Sequence, residues 1–250
     1  LDGRVCLITG GAGFLGRQFA HALAEMNGRP VIIDLESTAL HDVARELDCL
    51  SCDANVTDGS SLISVRQKVL SELGSIDVLI NSAGLTKHGC EAESERFFAS
   101  FENTDREVWE AGLRVNLTGV MLRCQTFAPP MLEQGRGAII NIGSEVFHLG
   151  VTPFTAYVSA KGGQNGFNRS LAHELAPWNI TVNMISPGWI PVERHEKDPQ
   201  ELKDGYFATI PMQRWGVPED LAGTIIYLSS EASSFVTGQN IHVNGGLTVH

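Results

Sequence analysis

The 250-residue chain, 43% of it hydrophobic, is long enough for one large α/β domain with a substantial core and short for two. Its 18 basic and 29 acidic residues leave a formal net charge of −11. That balance argues against nucleic acid, whose phosphates demand a basic patch, and against an anionic membrane surface.

Short apolar strand patterns alternate with longer helical ones along the chain. Val5–Thr9 reads as a strand, followed by a helix from about Phe14 to Asn27. Pro30–Asp34 precedes a helix around Thr38–Leu47, and Asp58–Leu73 is a third helix before the strand Ile76–Asn81. Leu85–Asp105 is long, polar and acidic, with Phe97, Phe98 and Phe101 inside it. A helical stretch around Asp105–Met131 follows, then the strand Ala138–Ile142 and a long helix over Thr155–Ala176. Ile180–Ser186 and Asn240–Val243 are the last strands, and the charged stretch Pro191–Tyr206 lies between them. Continuous apolar strands fit a sheet covered on both faces. Strand–helix alternation implies right-handed crossovers. The expected fold is therefore α/β, a Rossmann-type doubly wound parallel sheet of about seven strands flanked by helices, in one domain over residues 1–250. Both irregular stretches follow strand ends, where open α/β sheets bind ligands, and are read as substrate loops.

Five cysteines, Cys6, Cys49, Cys52, Cys90 and Cys124, are scattered. Cys49 and Cys52 form one C-x-x-C, but no second pair or histidine cluster completes a zinc site. They read as small residues entering and lining a strand, and no metal is expected. Unpaired thiols suit a reducing compartment. No apolar run reaches membrane-spanning length and no signal pattern opens the chain. A cytoplasmic protein without a membrane or nucleic-acid partner is the expectation.

The first strand runs into Thr9-Gly10-Gly11-Ala12-Gly13-Phe14-Leu15-Gly16. Gly11, Gly13 and Gly16 fit G-x-G-x-x-G between a strand and a helix, where glycines let the backbone approach a pyrophosphate and the helix N-terminus offers free N–H groups. The cradle is assigned to Gly10, Gly11, Gly13, Phe14, Leu15 and Gly16. Asp34 ends the second strand, and its carboxylate suits the two ribose hydroxyls of NAD while repelling the 2′-phosphate of NADP. Its neighbours Leu35, Glu36 and Ser37 include no cation, so NAD is expected over NADP.

Tyr157 and Lys161, four apart on a helix, share one face. A tyrosine hydroxyl titrates near ~10, and an adjacent ammonium favours its phenolate. At ~4 Å and an effective dielectric of ~20 the attraction is about 4 kcal/mol before desolvation. Such a tyrosine can take a hydroxyl proton as hydride leaves carbon. Ser144, just past the strand Ala138–Ile142, can hydrogen-bond the same oxygen.

With these residues placed, the sequence resembles the short-chain dehydrogenase/reductase family over nearly its whole length. Asn81-Ser82-Ala83-Gly84, Val115-Asn116-Leu117, Ser144, Tyr157-Val158-Ser159-Ala160-Lys161, Pro187-Gly188, Gly216-Val217-Pro218-Glu219-Asp220, Thr237-Gly238-Gln239 and Val243-Asn244-Gly245-Gly246 match family motifs in order. The resemblance implies that Tyr157 is the general acid/base, that Lys161 lowers its pKa and holds the nicotinamide ribose, and that Ser144 polarises the substrate oxygen. It implies that Asn116 holds a water linking Lys161 to solvent. It places Asn81, Ala83 and Gly84 on the adenine-ribose side and Pro187 and Gly188 beside the nicotinamide. It also implies a homo-oligomer, commonly a tetramer, formed through the helices around Asp105–Met131 and Thr155–Ala176 and the segment after Pro218.

Three features depart from the family. Phe14 stands where the short branch has the middle glycine of T-G-x-x-x-G-x-G, so the loop looks like that of sugar-nucleotide epimerases and dehydratases; the chain is too short for their extra region, and the loop is read as a variant. Val192 replaces a threonine that contacts the carboxamide, leaving backbone near Ile190 for that role. Leu85–Asp105 is long, and its phenylalanines form either a lid, a subunit contact or a small satellite core. The adenine contact is either Asp53 or Asn55.

The substrate pocket is expected between Glu145–Val151, Phe154, Trp189 and the two loops, with Glu145 and His148 as candidate polar contacts. This mixture fits a secondary alcohol or ketone of polyol, sugar or hydroxy-acid type. The alternatives are a 3-oxoacyl carrier-protein reductase, which would ordinarily want NADP and a basic docking surface, a sugar-nucleotide dehydratase or epimerase using bound NAD, and a catalytically silent binding homologue.

Overall fold

The computed structural model describes residues 1–85, 96–192 and 198–249. Seven parallel strands form one sheet in the order β3-β2-β1-β4-β5-β6-β7. They are β1 Val5–Thr9, β2 Arg29–Asp34, β3 Leu50–Asp53, β4 Val78–Asn81, β5 Gly137–Ile142, β6 Ile180–Pro187 and β7 Asn240–Val243. The described helices are α1 Phe14–Glu25, α2 Thr38–Glu46, α3 Gly59–Leu73, α4 Arg106–Leu113, α5 Gly119–Gln134, the single turn α6 Val146–Leu149, α7 Thr155–Leu175, α8 Gln200–Phe207 and α9 Glu219–Ser229.

β1 is buried along its whole length, because alternate side chains feed two different cores. Val5 and Leu7 join a cluster with Leu62 and Val65 of α3, Phe127 and Met131 of α5 and Leu175 of α7. Cys6 and Ile8 join the other with Phe19 and Leu23 of α1, Leu40 of α2 and Leu221 and Ile225 of α9. Burying both faces is what forces the strand sequences to be continuously apolar. Strand order reverses between β1 and β4, and this switch point opens the crevice where such sheets take ligands.

Beyond shifts of a residue or two at element ends, two differences from the sequence reading have a physical cause in the structure. The fourth strand starts at Val78 rather than Ile76, because the Asp77 side chain takes over a strand role: its Oδ2 accepts the Val5 N–H at 3.0 Å and the Ser75 hydroxyl at 2.9 Å. The expected helix around Asp105–Met131 is divided by a π turn over Arg114–Thr118. Its second half runs through Pro129 and Pro130 to Gln134; burial of Phe127, Pro130 and Met131 outweighs the local cost of proline.

Cys49 precedes β3 and Cys52 lies within it. Burial raises the Cys6 and Cys124 thiols to about 12 and Cys49 to about 11, so they are poor nucleophiles. Cys90 and parts of both expected substrate loops lie outside the described residues. No described helix is long and apolar enough to cross a membrane.

Candidate active site

The loop between β1 and α1 is shaped by close backbone approach. Gly10 has φ +68°, and a Cβ there would lie 2.8 Å from Ala83 Cα. A Cβ on Gly11 would meet Ile8 O at 2.8 Å, and one on Gly16 would meet Gly10 O at 2.2 Å. Gly13 is different: as the N-cap of α1 it has φ −74°, and its nearest obstacle is Gly10 O at 3.2 Å. No side chain caps α1, so its first N–H groups face the crevice with the partial positive charge of a helix N-terminus. Leu15 is half-buried against the α1 core and Phe14 is exposed. This cradle fits a dinucleotide pyrophosphate.

Asp34 stands at the end of β2 across from the loop. Its Oδ2 accepts the Ala12 N–H at 3.0 Å and its Oδ1 accepts the Leu35 N–H at 2.8 Å. The carboxylate therefore ties the glycine loop to the strand end and keeps lone pairs for further donors. The basic groups of the two flanking helices are paired with acids: Arg17 and His21 with Glu46, His41 with Glu36, and Arg45 with Asp42. Asp53 lies beside Asp34 in the strand register and is exposed. The Asn55 side-chain Oδ1 is occupied in a turn, accepting the Thr57 N–H at 3.0 Å and hydroxyl at 2.8 Å.

The segment after β4 is built inward. Asn81 is buried and its Nδ2 donates to Asn141 Oδ1 at 2.9 Å, so its side chain serves the core rather than the crevice. Asn116, inside the π turn, donates from Nδ2 to the carbonyls of Leu85 (2.8 Å) and Gly112 (3.1 Å), and its Oδ1 accepts the Leu85 N–H at 3.0 Å. A Cβ on Gly84 would lie 3.0 Å from that oxygen. Asn116 thus fixes the backbone leaving Ala83-Gly84.

Tyr157 and Lys161 lie on the buried face of α7. Lys161 Nζ is 5.5 Å from the Tyr157 ring centroid and donates to Ile142 O at 2.6 Å. Lys161 therefore reaches the end of β5, two residues before Ser144. The Ser144 hydroxyl oxygen accepts the Val146 N–H at 3.4 Å. Desolvation, with the nearby Arg123 cation second, brings the Lys161 pKa down to about 7. Phe154 stacks on Tyr157 with centroids 4.6 Å apart, and Phe98 stacks on the other side of Phe154, also at 4.6 Å. Phe154 and Tyr157 form a satellite core with Phe97 and Val108, while Phe98 is partly exposed and Phe101 is 81% exposed.

Across the crevice, Gly188 N–H donates to Val243 O at 3.0 Å and Pro187 O accepts the Glu145 N–H at 3.3 Å. Ile190 is buried. Trp189 packs edge-on against Tyr206 and Trp215, beside a cavity of about 380 Å³ lined also by Arg214, His242 and Asn244. Glu145 is buried and accepts the Tyr206 hydroxyl. His148 packs against Phe147 with its ring tilted and meets His242 edge-on at 4.6 Å, with its Nε2 3.4 Å from Asn240 Nδ2; these contacts turn it toward β7.

Sequence reasoning passed over two residues here. Arg123 on α5 is fully buried, with no carboxylate paired to it among the described residues; its Nη1 donates to Thr9 Oγ1 at 3.1 Å and Ala83 O at 3.3 Å. Tyr206, the last residue of a charged stretch, carries no local motif. A buried arginine in an otherwise apolar helix face was the one signal available for the first; nothing local marked the second.

A glycine cradle at the switch point, an acidic strand end and a Tyr–Lys pair beside a serine define a dinucleotide-dependent oxidoreductase. The family described as enoyl-(acyl carrier protein) reductase matches residues 11–248. The 3-oxoacyl-[acyl-carrier-protein] reductase of Thermotoga maritima is 35% identical, over 100% of this chain and 99% of its own. Nodulation protein G of a Rhizobium species is 36% identical, over 100% and 98%. The crystal structure of NAD+-bound xylitol dehydrogenase superposes with a TM-score of 0.90 at 28% identity, covering 98% of this chain and 99% of that one. The chain belongs to the short-chain dehydrogenase/reductase family.

Proposed function

We propose that the protein is an NAD-dependent dehydrogenase acting between a secondary alcohol and its ketone, with a polyol, sugar or hydroxy acid as substrate. The observation that carries the cofactor choice is Asp34, a carboxylate facing the glycine loop with the basic groups of α1 and α2 already paired to acids. A 2′-phosphate there would meet like charge, and the described cations of the flanking helices are already engaged with acids. The likeness to a xylitol dehydrogenase holding NAD+ supports the same cofactor and a hydroxylated substrate.

In this reading Gly10, Gly11, Gly13, Leu15 and Gly16 hold the pyrophosphate, Asp34 the adenosine ribose, Lys161 the nicotinamide ribose and the Pro187–Ile190 backbone the nicotinamide. When bound, the nicotinamide accepts or supplies the hydride. Ser144 Oγ hydrogen-bonds the substrate oxygen, and the Tyr157 hydroxyl takes or returns its proton. The Lys161 ammonium favours the Tyr157 phenolate, while its own desolvation lowers its pKa toward about 7. Asn116 holds the Leu85 backbone at the mouth of this path. Phe154 forms an apolar wall against Tyr157 that keeps water from the transfer. The same reading includes a homo-oligomer; the half-buried edge strand β7 and the fully exposed Phe235 beyond α9 support it.

The likeness to 3-oxoacyl-[acyl-carrier-protein] reductases favours a second reading, reduction of a carrier-bound 3-oxoacyl group. The net charge of −11 counts against it, since docking would want a basic surface. Asp34→Ala tests the first. The ratio of kcat/KM with NAD to that with NADP should fall by about tenfold or more, as expected for loss of one charged contact and one repulsion. An unchanged ratio would reduce Asp34 to a loop tie.

A further inference from the structure

Tyr206 lies near the end of α8, and its hydroxyl stands between two partners. It accepts the Trp189 N–H at 2.6 Å and donates to the Glu145 carboxylate. Glu145 directly follows Ser144 and is only 2% exposed. Burying a carboxylate is costly unless it is hydrogen-bonded. Desolvation raises its pKa, and the hydrogen bond from Tyr206 opposes that rise most. Burial first, and then Glu145, push the Tyr206 hydroxyl above the ordinary phenol range, so it remains a donor at any working pH.

The residue being gripped is the turn after β6. Gly188 has no room for a side chain: a Cβ would lie 2.9 Å from the Tyr206 hydroxyl oxygen and 3.0 Å from Asn244 Cβ. The turn is held from three directions. Glu145 N–H donates to Pro187 O, Gly188 N–H donates to Val243 O, and Tyr206 closes the third side. The Tyr206 ring is itself fixed, stacked on Trp215 at 5.6 Å and edge-on to Trp189 at 5.3 Å. Removing the hydroxyl would thus leave the ring in place and release only the bridge.

We propose that Tyr206 and Glu145 form a clamp that sets the position of the Pro187–Ile190 backbone, making both positioning residues for the nicotinamide half of the cofactor rather than substrate contacts. The inference rests on the dinucleotide reading above, and its test separates the two.

Binding of NADH and of ADP-ribose, which lacks the nicotinamide, would be measured by titration calorimetry for wild type, Tyr206→Phe, Glu145→Ala and Glu145→Gln, with amide exchange followed at Trp189. Tyr206→Phe and Glu145→Ala should weaken NADH by about tenfold, the scale of one hydrogen bond to a charged group, and leave ADP-ribose within about twofold of wild type. Trp189 should exchange faster in Tyr206→Phe. Glu145→Gln keeps an acceptor for the hydroxyl and should recover most of the NADH affinity. Unchanged NADH affinity in Tyr206→Phe, or equal weakening of both ligands, would overturn the clamp. Should Tyr206→Phe fail to fold, the contrast between Glu145→Ala and Glu145→Gln decides on the same criteria. Wild type binding neither ligand would instead overturn the dinucleotide reading.

Discussion

At the scale of single residues, two buried cations dominate the site. Lys161 has its pKa lowered from 10.5 to about 7, chiefly by desolvation and then by Arg123. Between those values the unfolded chain binds a proton that the folded chain does not. Stability from this group therefore rises as pH climbs from about 7 toward about 10.5. Lys161→Met should remove that rise, flattening the pH dependence of the urea midpoint relative to wild type; parallel profiles would contradict the assigned burial. Arg123 is costlier, since its Nε and Nη2 have no partner among the described residues. Arg123→Met should stabilise the fold by roughly 1–4 kcal/mol, as when buried ions give way to apolar isosteres. Thr9 keeps Ile80 O as a hydrogen-bond partner in that variant. A lower thermal midpoint would show that the guanidinium holds the Ala83 backbone more firmly than its desolvation costs. Residues such as Tyr157 and Lys161 are legible in the sequence because a four-residue spacing on a helix fixes their shared face. Glu145 and Tyr206 are 61 residues apart, and no local pattern announces that they meet.

At the scale of elements, strands and helices with continuous or periodic apolar patterns are legible to within a few residues. β1 and β7 run over the expected residues, and α1, α2, α3 and α7 differ from expectation only near their ends. β3 was visible only as the stretch lining Cys52, because its four residues, with only Cys52 buried, leave little pattern to read. The π turn was not legible: it is set by Asn116 bonding to Gly112 and to Leu85, and Leu85 is distant in sequence. The aromatic stretch after β4 allowed three readings. Its described part packs Phe97 and Phe98 onto Phe154, and Phe97 joins Phe154 and Tyr157 in a satellite core. The glycine loop supplies an internal contrast. Gly16→Ala places a Cβ 2.2 Å from Gly10 O, whereas Gly13→Ala meets the same atom at 3.2 Å with an ordinary φ. Gly16→Ala should abolish NADH binding and lower the thermal midpoint; Gly13→Ala should change affinity by less than about tenfold. Equal effects would mean that the loop tightness lies elsewhere.

At the scale of the molecule, a parallel sheet with two cores positions every part of the site at one edge of the strands. The glycine loop follows β1, Asp34 ends β2, Ala83-Gly84 follow β4, Ser144 follows β5 and Pro187-Gly188 close β6. This convergence follows from the topology, since all seven strands run the same way and their carboxyl ends open on one crevice. The most direct measurement is NADH formation against a panel of polyols, sugars, hydroxy acids and secondary alcohols, run beside NADP and with Tyr157→Phe. The expected result is NAD-linked turnover with one substrate class that falls by about 10²–10⁴-fold in Tyr157→Phe, while NADH binding persists. Full activity in Tyr157→Phe, or NADH binding without hydride transfer to any member of the panel, would contradict it.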